Sequence, residues 1–176
     1  MSKPAIFLDR DGVLTVEKSY VRNKDELEIF PYAAECVSYM KQKGFYTIVI
    51  TNQSGVARGF FTEKDLIEMN SFLQEKTGVD YILYCPHYEQ GSVRKYAIKC
   101  KCRKPQAGMI MQACDIYDID ITKSYMVGDR ASDILCGKKA GVQTVLLESG
   151  YGSKKLEIQI TPDYIYKDLR EFIVKI

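Results

Sequence analysis

Short apolar runs alternate along the chain with longer segments of helical periodicity. The short runs are rich in β-branched and aromatic residues and are bounded by polar or turn residues, which is typical of buried strands in a parallel sheet. The predicted strands are Ala5–Leu8, Tyr46–Ile50, Tyr81–Tyr84, Tyr125–Val127 and Thr144–Leu147.

Four helices are predicted between these strands from periodicity and from end signals. One of them opens with Thr62 and Asp65 in a capping arrangement and has Leu66, Met69 and Leu73 on one face. The predicted helices are Pro31–Lys43, Thr62–Lys76, Gly108–Tyr117 and Ser132–Ala140.

This alternation predicts the fold class α/β, with a three-layer α/β/α sandwich around a Rossmann-like, mainly parallel sheet. The 176 residues, 46% of them hydrophobic, are enough to bury a core without disulfides, so we expect a single domain over residues 1–176. Such sheets bind ligands outside the carboxyl ends of their strands. We therefore expect the functional residues to lie directly after the predicted strands.

Charge and hydropathy limit the choice of partners. The 25 Lys and Arg residues nearly balance the 23 Asp and Glu residues, and a net charge of +2 does not predict a broad surface for nucleic acid or membrane. No apolar run approaches the roughly 20 residues that span a bilayer. The chain also opens without the pattern of a signal peptide, so we expect a cytoplasmic protein.

Acidic and polar residues follow three of the predicted strands. The segments are DRDG (residues 9–12), TNQSG (51–55) and GDR (128–130), the last followed by Asp133. An isolated DxDG is most often a turn. Polar segments that follow three strands at one sheet edge favour a functional site instead. Asp9, Asp11 and Asp129 brought together would repel one another unless a cation joined them, and Mg²⁺ suits such oxygen ligands.

Cysteine spacing predicts a second metal site. Cys85 and His87 form one tight pair and Cys100 and Cys102 another, and three thiolates with one imidazole complete a tetrahedral, structural zinc site. The alternative is a surface His with three unrelated buried thiols. If His87 binds zinc, no His remains for a Ser or Cys hydrolase triad, so the chemistry falls to carboxylates. The other cysteines, expected to be small core residues, are Cys36, Cys114 and Cys136.

The DxDG segment, the TN of residues 51–52, Lys104 and the GDxxxD of residues 128–133 resemble the four motifs of the haloacid dehalogenase superfamily, in its phosphatase branch. Within that branch, the stretches TNQSGVARG, CPHYEQGSV and CKCRKP are similar to the heptose bisphosphate phosphatases and less closely to the histidinol-phosphate phosphatases. The thirteen positions between His87 and Cys100 match the heptose type. The resemblance covers about residues 5–147.

The resemblance implies a role for each motif. Asp9 is expected to be the nucleophile and Asp11 the general acid and base, with the Asp11 backbone carbonyl as a magnesium ligand. The implied catalytic residues are Asp9, Asp11, Thr51 and Lys104, and the implied magnesium ligands are Asp9, Asp11 and Asp129. Asp133 has two open interpretations. It either orients Lys104 or the metal site, or it complements the dipole at a helix N-terminus.

The resemblance also implies a sugar bisphosphate substrate. The residues expected to contact it are Glu17, Lys18, Ser19, Tyr20, Asn52, Gln53, Ser54, Arg103 and Arg130. Residues 94–104 are locally basic, and Arg103 in particular suits a second phosphate. The first two motifs enclose no insertion large enough for a cap domain, so we expect a capless, open site on a monomer.

Two further interpretations compete with the sugar phosphatase. The segment TNQSGVARG also resembles the polynucleotide 3′-phosphatases, and the basic loop could follow a nucleic-acid backbone. The balanced charge and the lack of Trp speak against a nucleic-acid partner. A zinc-stabilised binding module without activity is the third possibility, although such a module has no need of the acidic motifs.

Overall fold

The computed structural model describes residues 2–151 and 160–176. Its strands are β1 (Ala5–Leu8), β2 (Tyr46–Asn52), β3 (Tyr81–Cys85), β4 (Tyr125–Gly128), β5 (Gln143–Leu147) and β6 (Tyr164–Tyr166). Its helices are α1 (Ala33–Gln42), α2 (Glu63–Thr77), α3 (Gly108–Ile116), α4 (Ala131–Ala140) and α5 (Leu169–Ile173), with a 3-10 turn at Ile121–Lys123. All predicted strands and helices are present, while β6, α5 and the 3-10 turn were not predicted.

One sheet with the strand order β3-β2-β1-β4-β5-β6 organises the fold. Every neighbouring pair is parallel, which confirms the predicted α/β fold class. In the central strand, Leu8 lies opposite Val49 of β2 and Val127 of β4. The carboxyl ends of β1, β2 and β4 therefore meet at one place on the sheet edge.

Alternate residues of β1 enter two separate cores. Ile6 and Leu8 pack with residues of α1, α2 and α5, whereas Ala5 and Phe7 pack with residues of α3 and α4. All four side chains are fully buried. Because both faces of β1 are covered, the sheet is the middle of three layers, and this central strand is apolar throughout.

The predicted N-terminus of α2 is confirmed by its hydrogen bonds. Thr62 Oγ1 accepts from the Asp65 amide at 3.2 Å, and Asp65 Oδ2 accepts from the Thr62 amide at 2.8 Å. This reciprocal pair satisfies two backbone donors that the helix itself leaves open. Leu66, Met69 and Leu73 on the inward face are fully buried, as predicted.

The three isolated cysteines differ in burial. Cys36 and Cys136 are buried in the core, as expected, but Cys114 is only partly buried at the margin of the core on the α3 side. Cys114 packs against that core without being enclosed by it, so the expectation is confirmed for Cys114 only in part.

The segment between β1 and β2 contains a loop and α1, in agreement with the expected absence of a cap. Within residues 2–151 and 160–176, no helix combines the length and apolar character needed to cross a bilayer.

Candidate active site

A cleft of about 340 Å³ opens beside the carboxyl ends of β1, β2 and β4. It is lined by all the residues predicted to contact a substrate: Glu17, Lys18, Ser19, Tyr20, Asn52, Gln53, Ser54, Arg103 and Arg130. Asp9, Asp11 and Lys104 line it too, while Thr51 and Asp129 are buried and do not. The structure thus gathers the predicted residues at one site.

Asp9 follows β1 directly and is 6% exposed. Its Oδ1 accepts hydrogen bonds from Lys104 Nζ and from the Arg10 amide, both at 2.8 Å. Burial raises the pKa of Asp9 to about 6, although Lys104 opposes that shift. These donors fix one oxygen, and no described hydrogen bond uses Oδ2.

Lys104 is enclosed by acceptors. Its Nζ lies 2.7 Å from Asp133 Oδ1 and 2.8 Å from Asp9 Oδ1, and it donates to the Ile50 carbonyl at 2.9 Å. Burial lowers the pKa of Lys104, but Asp133 and Asp9 more than offset this, so its pKa is raised overall. The lysine is therefore a fixed positive charge beside the expected nucleophile.

Asp133 combines both of its open interpretations. One carboxylate oxygen pairs with Lys104, and the other accepts the Arg130 amide at 3.0 Å, at the N-terminus of α4. A helix-end acid thus also orients Lys104, because the two oxygens serve different partners. Sequence spacing alone could not separate these roles.

The Asp11 carboxylate accepts three hydrogen bonds from other side chains. Oδ1 accepts from Arg10 Nε at 3.0 Å and from Thr15 Oγ1 at 3.1 Å, and Oδ2 accepts from Gln53 Nε2 at 2.8 Å. Burial raises the pKa of Asp11, but Arg10 and the hydrogen bonds outweigh it and hold the pKa below its usual range. Arg10, whose side chain is 1% exposed, was not identified from the sequence.

A cluster of three buried carboxylates forms beside Asp9. Ligand oxygens of Asp9, Asp129 and Asp133 all lie within 4.8 Å of one another. The sequence predicted Asp11, and not Asp133, as the third member of this group. In the structure, the Asp11 carboxylate instead accepts hydrogen bonds from Arg10, Thr15 and Gln53. A backbone role for Asp11 stays a prediction.

Asp129 is the member of this cluster best suited to a cation. Its Oδ2 accepts from the Tyr151 amide at 2.7 Å, but its buried Oδ1 has no hydrogen-bond partner among the described residues. Burial, reinforced by Asp9 and Asp133, raises the pKa of Asp129 to about 8. A divalent cation would satisfy the orphan oxygen and offset this repulsion, so the residues present fit Mg²⁺.

Gly12 encloses the Asp129 carboxylate. Its φ is +82°, and a Cβ at this position would lie 2.3 Å from Asp129 Oδ2. Only glycine meets both conditions, because other residues disfavour that backbone region and would also collide with the carboxylate. The glycine of the DxDG motif is thus explained by the site itself.

Thr51 and Gln53 connect the second motif to the first. Gln53 Nε2 donates to Thr51 Oγ1 at 2.9 Å as well as to Asp11, and both Thr51 and Gln53 are buried. Since Thr51 belongs to β2, the sheet itself places its hydroxyl. The Gln53 amide is occupied by these partners, so substrate contact by Gln53 stays a prediction.

The predicted zinc ligands lie together at the end of β3. Sγ of Cys102 is 3.2 Å from Cys85 Sγ and 3.3 Å from Cys100 Sγ, and His87 Nδ1 is 3.5 Å from Cys102 Sγ. Zinc–sulfur bonds of about 2.3 Å in a tetrahedron separate the sulfurs by roughly 3.8 Å, so the group needs little expansion to hold zinc. All four ligand atoms lie within 4.8 Å, and the cysteines are free thiols.

Glu17 and Arg130 form an ion pair across the mouth of the cleft. Arg130 Nη2 lies 3.0 Å from Glu17 Oε2, and the Arg130 guanidinium lies 4.1 Å from the centre of the Tyr151 ring. Tyr151 was not identified from the sequence, because no motif marks it. The positive charge of Arg130 is therefore compensated by the Glu17 carboxylate within the cleft.

Curated relatives match most of the chain. A D-glycero-beta-D-manno-heptose-1,7-bisphosphate 7-phosphatase of Haemophilus ducreyi is 39% identical over 170 residues, covering 90% of this chain and 93% of that protein. The chain belongs to the heptose bisphosphate phosphatase family of the haloacid dehalogenase superfamily. The Escherichia coli member of this name is 41% identical over 155 residues, which cover 85% of this chain and 81% of that protein.

Two further likenesses agree with this family. A family model described as HAD-hydrolase-like matches residues 101–172. The crystal structure of D,D-heptose 1,7-bisphosphate phosphatase from B. bronchiseptica, complexed with magnesium and phosphate, superposes with a TM-score of 0.86 at 28% identity. It covers 98% of this chain and 97% of that one. Membership of the family makes this chain a phosphoric monoester hydrolase and rules out the inactive binding module.

Proposed function

We propose that this enzyme removes the 7-phosphate of D-glycero-D-manno-heptose 1,7-bisphosphate through an aspartyl-phosphate, in the biosynthesis of nucleotide-activated heptose. The observation that carries the proposal is the geometry around Asp9, which pairs with Lys104 and lies within 4.8 Å of the Asp129 and Asp133 ligand oxygens. Relatives of this name share about two fifths of its residues over most of the chain.

In the first step, an Asp9 carboxylate oxygen attacks phosphorus, and the bond from phosphorus to the sugar oxygen breaks. Lys104 and the Thr51 hydroxyl, which is buried behind the cleft lining, are proposed to stabilise the charge that develops on the phosphoryl oxygens. One such donor is typically worth about 3 kcal/mol of barrier. Asp11 gives its proton to the leaving sugar oxygen. The negative charge of a bound phosphate favours that protonated form of Asp11.

In the second step, water attacks the phosphorus of the aspartyl-phosphate and Asp11 takes its proton, while the bond from phosphorus to the Asp9 oxygen breaks. Inorganic phosphate leaves and the Asp9 carboxylate is regenerated. The hydrogen bonds from Arg10, Thr15 and Gln53 stabilise the ionised Asp11 that this step needs. Asp9 and Asp129, with the Asp11 carbonyl, would hold Mg²⁺. That ion, when bound, neutralises the repulsion between the carboxylates and the phosphate.

Arg103 is proposed to receive the second phosphate of the substrate. Its side chain lines the cleft and forms no ion pair with a described residue, in contrast to Arg130, which is paired with Glu17. A guanidinium without a carboxylate partner is available for bidentate binding of phosphate. The remaining cleft residues predicted to contact the sugar keep that role as proposals.

A structural Zn²⁺ at the Cys85, His87, Cys100 and Cys102 cluster would fix the loop that leads into Arg103 and Lys104. The thiolates and the imidazole fill all four positions of a tetrahedral ion, so this metal would not bind water for the reaction. A single domain over residues 1–176, a monomeric state and a cytoplasmic location remain predictions.

The proposal is tested by phosphate release from a panel of heptose bisphosphate, histidinol phosphate and a 3′-phosphorylated oligonucleotide, with and without Mg²⁺. We expect the highest kcat/KM on heptose bisphosphate, dependence on Mg²⁺, and loss of at least about 10³-fold activity in Asp9→Asn. Preference for histidinol phosphate or for the oligonucleotide would instead support one of the competing assignments.

A further inference from the structure

Two arginines beside the zinc loop, residues 85–102, have no acidic partner among the residues that the structure describes. Arg103 Nη1 donates to the His87 carbonyl at 3.2 Å and forms no ion pair among the described residues. Arg58 forms no ion pair there either, and its buried Nε has no hydrogen-bond partner. Neither positive charge is therefore compensated by an acidic side chain of the described residues, and Arg103 lines the cleft.

The Tyr88 ring lies close to the guanidinium groups of both arginines. The Arg58 guanidinium carbon lies 4.1 Å from the centre of the Tyr88 ring, and that of Arg103 lies 5.4 Å from it. Both distances are within the range of cation–π attraction. Among the described residues, the Arg103 guanidinium is held by this ring and by its hydrogen bond to the His87 carbonyl.

The backbone fixes the place of this ring. The Tyr88 amide donates to the Tyr96 carbonyl at 3.1 Å, and the Tyr88 carbonyl accepts from the Gly91 amide at 2.9 Å. The Val93 amide in turn donates to the Ala57 carbonyl at 2.9 Å, and a Cβ on Gly91 would lie 2.5 Å from that oxygen. The loop that carries Tyr88 is thus docked closely against the segment that carries Arg58.

We propose that Tyr88 is a positioning residue that orients Arg103 toward the second phosphate of the substrate. This inference rests on the proposed function. Arg has a flexible side chain, and a guanidinium held near a fixed ring loses less freedom when phosphate binds. The contribution is specific to the doubly phosphorylated substrate, because the reacting phosphate is bound by other groups.

The test compares Tyr88→Leu with Tyr88→Phe on heptose 1,7-bisphosphate and on the matching heptose 7-phosphate. Tyr88→Leu removes the ring, so KM for the bisphosphate rises about tenfold while kcat, and both constants for the monophosphate, stay near wild type. Tyr88→Phe keeps the ring and loses only a hydroxyl that bonds Gln90, so it behaves like wild type.

The Arg103→Ala background separates positioning from damage to the loop. If Tyr88 acts through Arg103, Tyr88→Leu adds no further rise in KM once Arg103 is absent. A further rise there, as loss of zinc would cause, contradicts the proposal. Equal effects of Tyr88→Leu on both substrates, or a Tyr88→Phe variant as impaired as Tyr88→Leu, would also overturn it.

The wild-type measurement distinguishes this inference from the proposed function. A wild-type enzyme that turns over neither heptose phosphate contradicts the function itself. A wild-type enzyme that prefers the bisphosphate, with no change in KM in Tyr88→Leu, contradicts only the role of Tyr88.

Discussion

Asn52 and Lys104 exchange two hydrogen bonds, with Asn52 Nδ2 donating to the Lys104 carbonyl and the Lys104 amide donating to Asn52 Oδ1, each at 3.0 Å. This pair joins the last residue of β2 to Lys104, two positions after the zinc loop. It fixes the Lys104 backbone while Asp9 and Asp133 fix its ammonium group. The sequence assigned Asn52 to substrate contact, which stays a prediction beside this observed role.

Replacing Asn52 by Ala should lower kcat. Two hydrogen bonds worth about 1 kcal/mol each would be lost, and a barrier increase of about 1.4 kcal/mol corresponds to tenfold in rate. We expect a decrease in kcat of roughly tenfold, measured by phosphate release. Asn23→Ala, which removes an exposed amide, is the control and should leave kcat unchanged. An Asn52→Ala enzyme with wild-type kcat would contradict the positioning role.

Replacing Asp129 by Asn should separate stability from magnesium binding. Wild-type protein should gain about 5 to 10 °C in Tm when Mg²⁺ is at about 100 times its Kd. Asp129→Asn removes a buried carboxylate with an orphan oxygen, so its Tm without Mg²⁺ should equal or exceed that of wild type, and Mg²⁺ should raise it little. Differential scanning fluorimetry measures both values, and an equal magnesium response in the two proteins would exclude Asp129 as a ligand.

Replacing Cys100 by Ser should remove the structural zinc. Metal analysis of the wild type should find about one zinc per chain, and Cys100→Ser should lose most of it together with several degrees of Tm, because metal affinity is coupled to folding. Cys114→Ser is the matched control, since Cys114 is a free thiol outside the cluster. If both variants keep their zinc, the ligand assignment is wrong.

An Asp that accepts two hydrogen bonds from a Thr precedes each of the two edge strands of the sheet. The ion pairs of the two Asp residues differ, so we expect their replacement to lower the free energy of unfolding by different amounts. Asp80, before β3, accepts from the amide and hydroxyl of Thr47, and Asp163, before β6, accepts from those of Thr144. Asp80 also pairs with Lys41 at 2.8 Å, whereas Lys138 lies 3.7 Å from Asp163. Asp80→Asn should therefore cost about 1 to 2 kcal/mol of unfolding free energy in urea, and Asp163→Asn less.

The Asp80 contact should also depend on pH. Burial raises the pKa of Asp80, but hydrogen bonds from Lys41 and Thr47 outweigh it, so the folded pKa lies below the unfolded value of about 3.9. The stabilisation is complete above that value and is lost as the pH falls through the folded pKa. The difference in unfolding free energy between wild type and Asp80→Asn should shrink between pH 5 and roughly pH 3. A constant difference would contradict the pKa shift.

The larger elements were predictable because each follows a local rule. Capping residues and apolar periodicity defined α2, and β-branched runs defined the first five strands to within two residues at their ends. β6 and α5 were missed because three residues of strand and five of helix carry too little pattern to be recognised. Their packing against β5 and α1 comes from tertiary contacts instead.

The site was predictable to the level of residue types and their approximate place, but not to the level of partners. The motifs identified Asp9, Lys104 and Asp129. The positions of Asp9 and Asp129 follow from the ends of β1 and β4, whereas Lys104 lies in the long connection between β3 and α3. The buried Arg10 beside Asp11 and the Glu17–Arg130 pair join groups whose geometry depends on how loops meet in three dimensions. No spacing rule records that Glu17 and Arg130 meet.

The most direct test of the proposed activity is ³¹P NMR of heptose 1,7-bisphosphate during incubation with the enzyme and Mg²⁺. The resonance of the phosphate on C7 should disappear as inorganic phosphate appears, while the resonance of the phosphate on C1 persists. Loss of the C1 phosphate first, or no reaction under conditions in which a 3′-phosphorylated oligonucleotide is hydrolysed, would contradict the proposed activity.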